Sequence, residues 1–259
     1  GTAGLRELAE RGLAVRNPEL TFATPDHAVS SAPGRTGETF PGGAHLYRGL
    51  KELTRGSGIR LFDLGEPGQG IVHVMGPELG LVQPGMTLIC GDSHTCTHGA
   101  LGAIAFGVGS SELTHALASQ TLVLRRPSTL RVWFDGMLGP GVEAKDLALA
   151  MIGQLGASAG NGHAVEYVGD AVSAMDIEQR MTLCNLSIEL GARIGLVAPD
   201  DKTVAYLRDK PFGPKEEAFA QAAAHWQSLL GDPGARHAQE ARVDVSVIAP
   251  TLTWGISPE

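Results

Sequence analysis

The stretch Met86-Thr-Leu-Ile-Cys-Gly-Asp-Ser-His-Thr95 decides the fold class. Met86 to Cys90 is an apolar run that reads as a strand, and Gly91 ends it in a polar turn, Asp92-Ser93-His94-Thr95. A glycine-rich passage follows. Helical spacing then takes over from about Ser111 to Leu122, with Ser111 expected as the cap and Glu112 suited to the positive end of the helix dipole. Gly70–Met75 and Leu130–Phe134 follow the same plan, each an apolar run broken by Gly, Asp or Pro before a segment of helical spacing. Alternation of this kind specifies an α/β fold, with mixed or parallel sheets flanked by helices.

Working outward, Leu5–Leu13 reads as a short helix stopped before Asn17-Pro18, and Ala44–Thr54 as another, ended by the glycines at 56 and 58. Arg125-Arg126-Pro127-Ser128 is the best domain boundary, because proline closes one helical segment and a strand opens after it. The next block reads strand (Leu130–Asp135), helix (Glu143–Leu155), glycine-rich loop, strand (Val165–Val168) and helix (Ile177–Leu190). A last helix, Lys215–Leu230, carries Phe219, Ala222, Trp226 and Leu229 on one core-facing stripe, and an extended tail follows. The expected divisions are 1–127, 128–210 and 211–259.

Of the 259 residues 43% are hydrophobic, 19% charged and 5% aromatic, which supports one large or two small cores and excludes disorder. Twenty Lys and Arg against 28 Asp and Glu leave a formal charge of −8. That balance argues against nucleic acid or an anionic membrane as partner, though not against a local basic pocket for a small acid. No apolar stretch approaches the roughly 18 residues a transmembrane helix needs. The three cysteines include no CxxC pair and point to a reducing, cytoplasmic compartment rather than a disulfide scaffold. The chain opens on Gly1 with no charged-then-apolar leader and reads as trimmed.

Chemistry concentrates in Gly91–Gly99, where Asp92 and His94 follow directly on a strand, at the end where α/β sheets bind ligands. An imidazole oriented by a carboxylate is the commonest acid or base near neutral pH. A capped turn is the plainer reading. Asp26-His27 after Pro25 offers a second such pair, and taken singly reads more often as a turn. His73 lies in the expected strand Gly70–Met75, where a satisfied core histidine is the ordinary case. On the helix expected over 177–190, Glu178, Thr182, Asn185 and Glu189 form a polar stripe, with Asn185 and Glu189 one turn apart. Gly107-Val-Gly109 is half of a dinucleotide fingerprint without its third glycine, and His94 with His98 would suit zinc only on a helix, which Gly91 and Gly99 argue against. Cys90 and Cys184 read as small core hydrophobes, so no metal-ligand set is expected within the chain.

These segments, in this order, resemble the aconitase superfamily and, within it, the 3-isopropylmalate dehydratase large-subunit family. The runs that carry the resemblance are Thr21–His27, Gly70–Glu78, Pro84–Thr87, Gly91–Thr95, Thr97–Ala100, Ala105–Gly109, Ala144–Asp146, Gly162–Glu166, Arg180–Asn185 and Gly195–Asp200, and it extends to Thr253-Trp254-Gly255. It implies aconitase-like three-layer α/β domains, with 1–127 and 128–210 as the first two and 211–259 leading toward a third that holds the cluster ligands. It also implies a hydro-lyase that interconverts 2- and 3-hydroxy diacids through a cis-enoate, with 3-isopropylmalate of leucine biosynthesis the leading substrate. Homoaconitate, methylmalate or another diacid is the alternative, as is a non-catalytic assembly or binding module.

By resemblance, Asp26 and His27 form an acid pair that protonates the departing hydroxyl, His73 pairs with Asp92, and His94 with Glu189. Ser93 contacts substrate, and Asn185 lies near the cluster and counts as substrate-binding. The [4Fe-4S] cluster of the complete enzyme takes cysteines that this chain does not contain, and the base is expected on a small subunit carrying the swivelling domain. The chain alone is therefore expected to be inactive. Glu66-Pro67 stands where many of these dehydratases have His-Pro, and Ala32–Ala44 is less family-like.

Overall fold

The computed structural model describes residues 1–232, 234–255 and 258. In chain order its elements are α1 (Thr2–Glu10), β1 (Phe22–Ala23), α2 (Pro41–Ser57), β2 (Arg60–Leu61), α3 (Val72–Leu79), β3 (Thr87–Cys90), a 3₁₀ helix (Ser93–Leu101), β4 (Ile104–Gly107), α4 (Ser110–Ser119), β5 (Ser128–Asp135), α5 (Ala144–Leu155), β6 (His163–Val168), α6 (Asp170–Ala174), α7 (Ile177–Asn185), β7 (Ile194–Leu196), α8 (Asp201–Leu207), α9 (Glu216–Gln227) and β8 (Gln239–Asp244). The expected α/β class holds: every strand pairing among the described residues is parallel.

The chain forms two compact units. One comprises residues 1–76 and 108–124, the other 77–107 and 125–259. In the first, α1 packs on α4 and α2, and Leu5, Leu8, Val15, Ile59 and Leu117 close a small core. The pair β1–β2 lies in this unit, with Phe22 opposite Arg60 and Ala23 opposite Leu61. In the second, the sheet runs β7-β6-β5-β8, and alternate residues of β5 (Leu130, Val132, Phe134) point into a core shared with Leu147, Met151 and Ile152 of α5 and Leu183 and Cys184 of α7. β8, drawn from the extended tail, lies beside β5 from Leu130–Gln239 to Asp135–Asp244. On α9, Phe219 and Trp226 are buried edge to face with centroids 5.7 Å apart, as the stripe predicts, while Leu229 falls beyond the helix end.

Three expectations are corrected. Gly70–Met75 is not a strand: Ile71 carbonyl accepts from the amides of Val74 and Met75, both at 2.9 Å, and α3 follows. The buried positions His73, Gly76, Pro77 and Gly80 recur at helical spacing, and that burial overrides the β-preference of Val72 and Val74. Ser111 does not cap α4; Gly109 does, with the Glu112 carboxylate accepting its amide at 3.0 Å. The helix expected over 177–190 ends at Asn185. Beyond it Ser187, Glu189, Leu190 and Gly191 donate to carbonyls three residues back, a tightening that turns the Ser187 hydroxyl inward onto the Tyr167 hydroxyl at 2.8 Å. Cys184 is fully buried as expected, but Cys90 is only half-buried.

Arg180 on α7 is fully buried and makes a two-pronged bond to Asp200, Nη1 to Oδ1 at 2.9 Å and Nη2 to Oδ2 at 2.6 Å. Asp200 also caps α8, accepting the Thr203 amide at 3.1 Å. Burial alone would raise its pKa; the guanidinium and the capping amide outweigh that and hold the carboxyl below its ordinary value. Asp200→Asn is expected to cost about 3 kcal/mol in urea unfolding, because it strands a buried guanidinium. Since the folded pKa is depressed, the contribution of the unaltered pair should be full above the unfolded carboxyl value of about 4 and fade as pH falls through the folded one.

Candidate active site

The expected site residues fall into two groups, one in each unit. In the first unit, Thr24 Oγ1 donates to Gly70 carbonyl at 3.1 Å, which lays the segment before Asp26 against the start of α3. Asp26 Oδ2 accepts the Val72 amide at 3.1 Å, using one of the N–H groups that a helix start leaves without an internal partner. Asp26 Oδ1 meets His27 Nδ1. The carboxylate is thus fixed by backbone while the imidazole it orients is largely exposed. His73 sits one residue beyond Val72, buried in the first turn of α3. The strand-to-helix correction therefore matters to the chemistry, because a helix start at Val72 supplies the amide that anchors Asp26.

The second group grows from β3. Cys90 ends the strand opposite Gly107 of β4, and after Gly91 the chain enters the 3₁₀ helix rather than the expected loop. Asp92 caps it, accepting the His94 amide at 2.8 Å. Thr95 Oγ1 and Thr97 Oγ1 each donate to the carbonyl three residues behind, at 2.6 Å, to Asp92 and His94 in turn. The run is two 3₁₀ segments joined across a kink at His94, so His94 and His98 do not share the α-helical face that a common metal would need. His98 is buried and His94 is part-exposed.

The ring of His94 is held at both nitrogens. Nδ1 lies 3.2 Å from Ser93 Oγ and 3.8 Å from Asp92 Oδ1, and Nε2 lies 3.4 Å from Glu189 Oε1. The expected His94–Glu189 pair is present although the two-turn polar stripe is not, since the tightened turns after Asn185 still carry Glu189 to the ring. Asn185 Nδ2 donates to Thr97 Oγ1 at 2.9 Å, and Cys96 Sγ donates to Asn185 carbonyl at 3.5 Å, which tie the 3₁₀ helix to the end of α7. Ser93, Asn185, Asp92, His94 and Glu189 are thereby brought together. An imidazole so held keeps its orientation while it takes or gives a proton.

Two glycines make this closeness possible, and the sequence marks both only as parts of longer runs. A Cβ on Gly99 would lie 1.7 Å from Gly195 carbonyl oxygen, and Gly99 carbonyl accepts the Val197 amide at 3.0 Å. A Cβ on Gly107 would lie 2.4 Å from Asp92 carbonyl oxygen. Gly107 is therefore explained by the approach of the Asp92–Ser93 backbone, without any dinucleotide. Thr97 is a further residue of the site that only its hydrogen bonds reveal.

A [4Fe-4S] cluster does not fit the residues present. Thiolate is the ligand form, yet burial raises the Cys96 thiol to about 11 and the Cys184 thiol well above its ordinary value. Among the described residues no group of three or more His, Cys, Asp and Glu side chains is placed to hold a metal ion. Among them, too, no helix is long and apolar enough to cross a membrane.

Gly99→Ala is expected to push the 3₁₀ helix off Gly195 and to lower stability by about 2 kcal/mol or more, with loss of amide protection at Val197 in hydrogen exchange. Unchanged protection there would show that the approach is not required.

Comparison with known proteins identifies the family. The aconitase family (aconitate hydratase) matches residues 1–259. Over the whole chain the protein is 57% identical to the 3-isopropylmalate dehydratase large subunit 1 of Bradyrhizobium diazoefficiens, of which it covers 54%. Over 97% of the chain it is 51% identical to the corresponding large subunit of Anaeromyxobacter dehalogenans and 49% to that of Roseiflexus castenholzii, covering 53% and 54% of those proteins. The chain thus spans about half the length of the curated relatives it matches, and it belongs to the aconitase family.

Proposed function

We propose that this chain supplies the acid–base and substrate-positioning part of a hydro-lyase that converts 2- and 3-hydroxy diacids into one another through a cis-enoate, with 3-isopropylmalate as substrate, in the cytoplasm. The observation that carries the reading is the His94 imidazole held between Ser93 with Asp92 on one nitrogen and Glu189 on the other, after the carboxyl end of a parallel strand. Likeness to large subunits supports a small-subunit partner carrying the swivelling domain and the base.

Removing water from a hydroxy diacid takes a proton from one carbon and a hydroxyl from its neighbour. Hydroxide is a poor leaving group, so it must be protonated as the bond breaks. In this reading His27 gives that proton, and Asp26, fixed on the Val72 amide, orients the ring and stabilises its charged form. His94 is the second proton-handling group, steadied by Glu189, and Ser93 donates its hydroxyl to the substrate. Asn185, which donates to Thr97 Oγ1, is a further substrate-binding residue in this reading, and His73 and Asp92 complete the acid–base set. The residues present do not hold the [4Fe-4S] cluster of the family, and no step is assigned to it. Because the residues present do not fit it, its ligands are assigned to sequence outside these 259 residues.

Two measurements test the reading. In the full-length protein assembled with its small subunit, His27→Ala should lower kcat by about 10²- to 10⁴-fold with little change in KM, and His94→Ala should do the same. Unchanged turnover in either variant removes that residue's role. The purified 259-residue chain should hold no stoichiometric iron or sulfide and give no turnover; finding either would place the cluster ligands within it.

A further inference from the structure

We propose that Arg35 is a specificity-determining residue whose guanidinium takes a carboxylate of the acid substrate beside the Asp26–His27 pair, and that Gln69 holds it in place; the proposal rests on the hydro-lyase reading above. Arg35 Nη2 donates to Gln69 Oε1 at 2.8 Å, and Gln69 Nε2 donates to Pro25 carbonyl at 2.9 Å. That carbonyl belongs to the peptide bond leading into Asp26. A single carboxamide therefore separates the guanidinium from the backbone that carries the acid pair. The start of α3 locks both ends, through Val72 to Asp26 and Gly70 to Thr24. Arg35 itself ends a turn in which its amide donates to Ala32 carbonyl at 3.2 Å.

A neutral partner that is itself tied to Pro25 carbonyl marks this arginine out; Arg16 of the same unit also meets a neutral group, Ser119 carbonyl at 3.4 Å, but without that tie. In the same unit Arg11 meets Glu7, Arg48 meets Glu38 and Arg60 meets Glu66, each a neutralised pair. Arg35 is instead held by a neutral carboxamide and is exposed, so its full charge stands beside the acid pair with N–H groups left for a planar anion. In a chain of net charge −8, an uncompensated cation here is what a dicarboxylate needs to be drawn to a carboxylate-bearing site. A diacid presents its second carboxylate at a fixed number of carbons from the hydroxyl. A cation tied to the acid pair by one rigid carboxamide therefore selects chain length as well as charge.

The test uses the full-length protein with its small subunit and 3-isopropylmalate. Arg35→Gln is expected to raise KM about 10- to 100-fold, as loss of a charge-assisted bond does, while kcat falls by less than about threefold. Arg35→Lys should recover part of the loss. Gln69→Glu keeps an acceptor for Arg35 but cancels its charge and loses the amide donated to Pro25 carbonyl, so it should raise KM as well. An unchanged KM in Arg35→Gln, or in Gln69→Glu, overturns the proposal. Absence of turnover by the unaltered protein would instead sink the hydro-lyase reading. Calorimetric binding of 3-isopropylmalate then judges Arg35: weaker binding by Arg35→Gln than by the unaltered protein upholds it, and equal or absent binding by both overturns it.

Discussion

The approach of two backbones at Gly99 and Gly195 sets the rest of the second group of site residues. With no side chain between them, the 3₁₀ helix lies directly on β7, joined to it by the Gly99–Val197 hydrogen bond. The same contact puts Cys96 and Thr97 against Asn185 at the end of α7. Only then does the turn after α7 carry Glu189 to within 3.4 Å of His94. A methyl group at Gly99 would strike Gly195 carbonyl oxygen and one at Gly195 the Ser187 hydroxyl, and either would shift the candidate site through packing alone, since protein interiors transmit displacement rather than absorb it.

Each group of candidate site residues is anchored by main chain rather than by long side chains. Asp26 is held by the Val72 amide at a helix start, and Asp92 by the His94 amide at a 3₁₀ start. Short carboxylates at helix starts lose little side-chain entropy on fixing and meet a favourable local dipole. The imidazoles they steady, His27 and His94, are the more exposed members of each pair. This is a division suited to proton transfer, with a rigid, anchored orienter and a ring that reaches a ligand. The buried thiols of Cys96 and Cys184 have the opposite character, packed and held protonated.

Most secondary structure was legible because apolar periodicity and local burial agreed: β3, β5, β6, α5 and the Phe219–Trp226 stripe of α9 all lie where spacing put them. Disagreement arose where tertiary burial outvoted local preference. Val72 and Val74 favour a strand, but burial at His73, Gly76 and Gly80 winds the segment into α3. The stripe through Glu178, Thr182, Asn185 and Glu189 is continuous in sequence, yet Ser187 turns inward to Tyr167 and ends the regular helix at Asn185. Glu189 lies 3.4 Å from His94 by way of the tightened turns, not by the helical spacing of the stripe.

By itself, the sequence determined the α/β class, the strand that delivers Asp92-Ser93-His94, and membership of a family whose motifs run the length of the chain. Those properties are local or cumulative: periodicity and ordered motifs need no knowledge of what packs on what. Tertiary structure alone decided that Asp26 is anchored on a helix start, that Ser93–Leu101 winds into 3₁₀ turns with His98 buried and His94 part-exposed, that Gly99 and Gly107 are glycines for want of room, and that Arg35 meets a neutral carboxamide. Each of these depends on a contact between residues distant in the chain or on the number of residues per helical turn, and neither can be read from the order of amino acids alone.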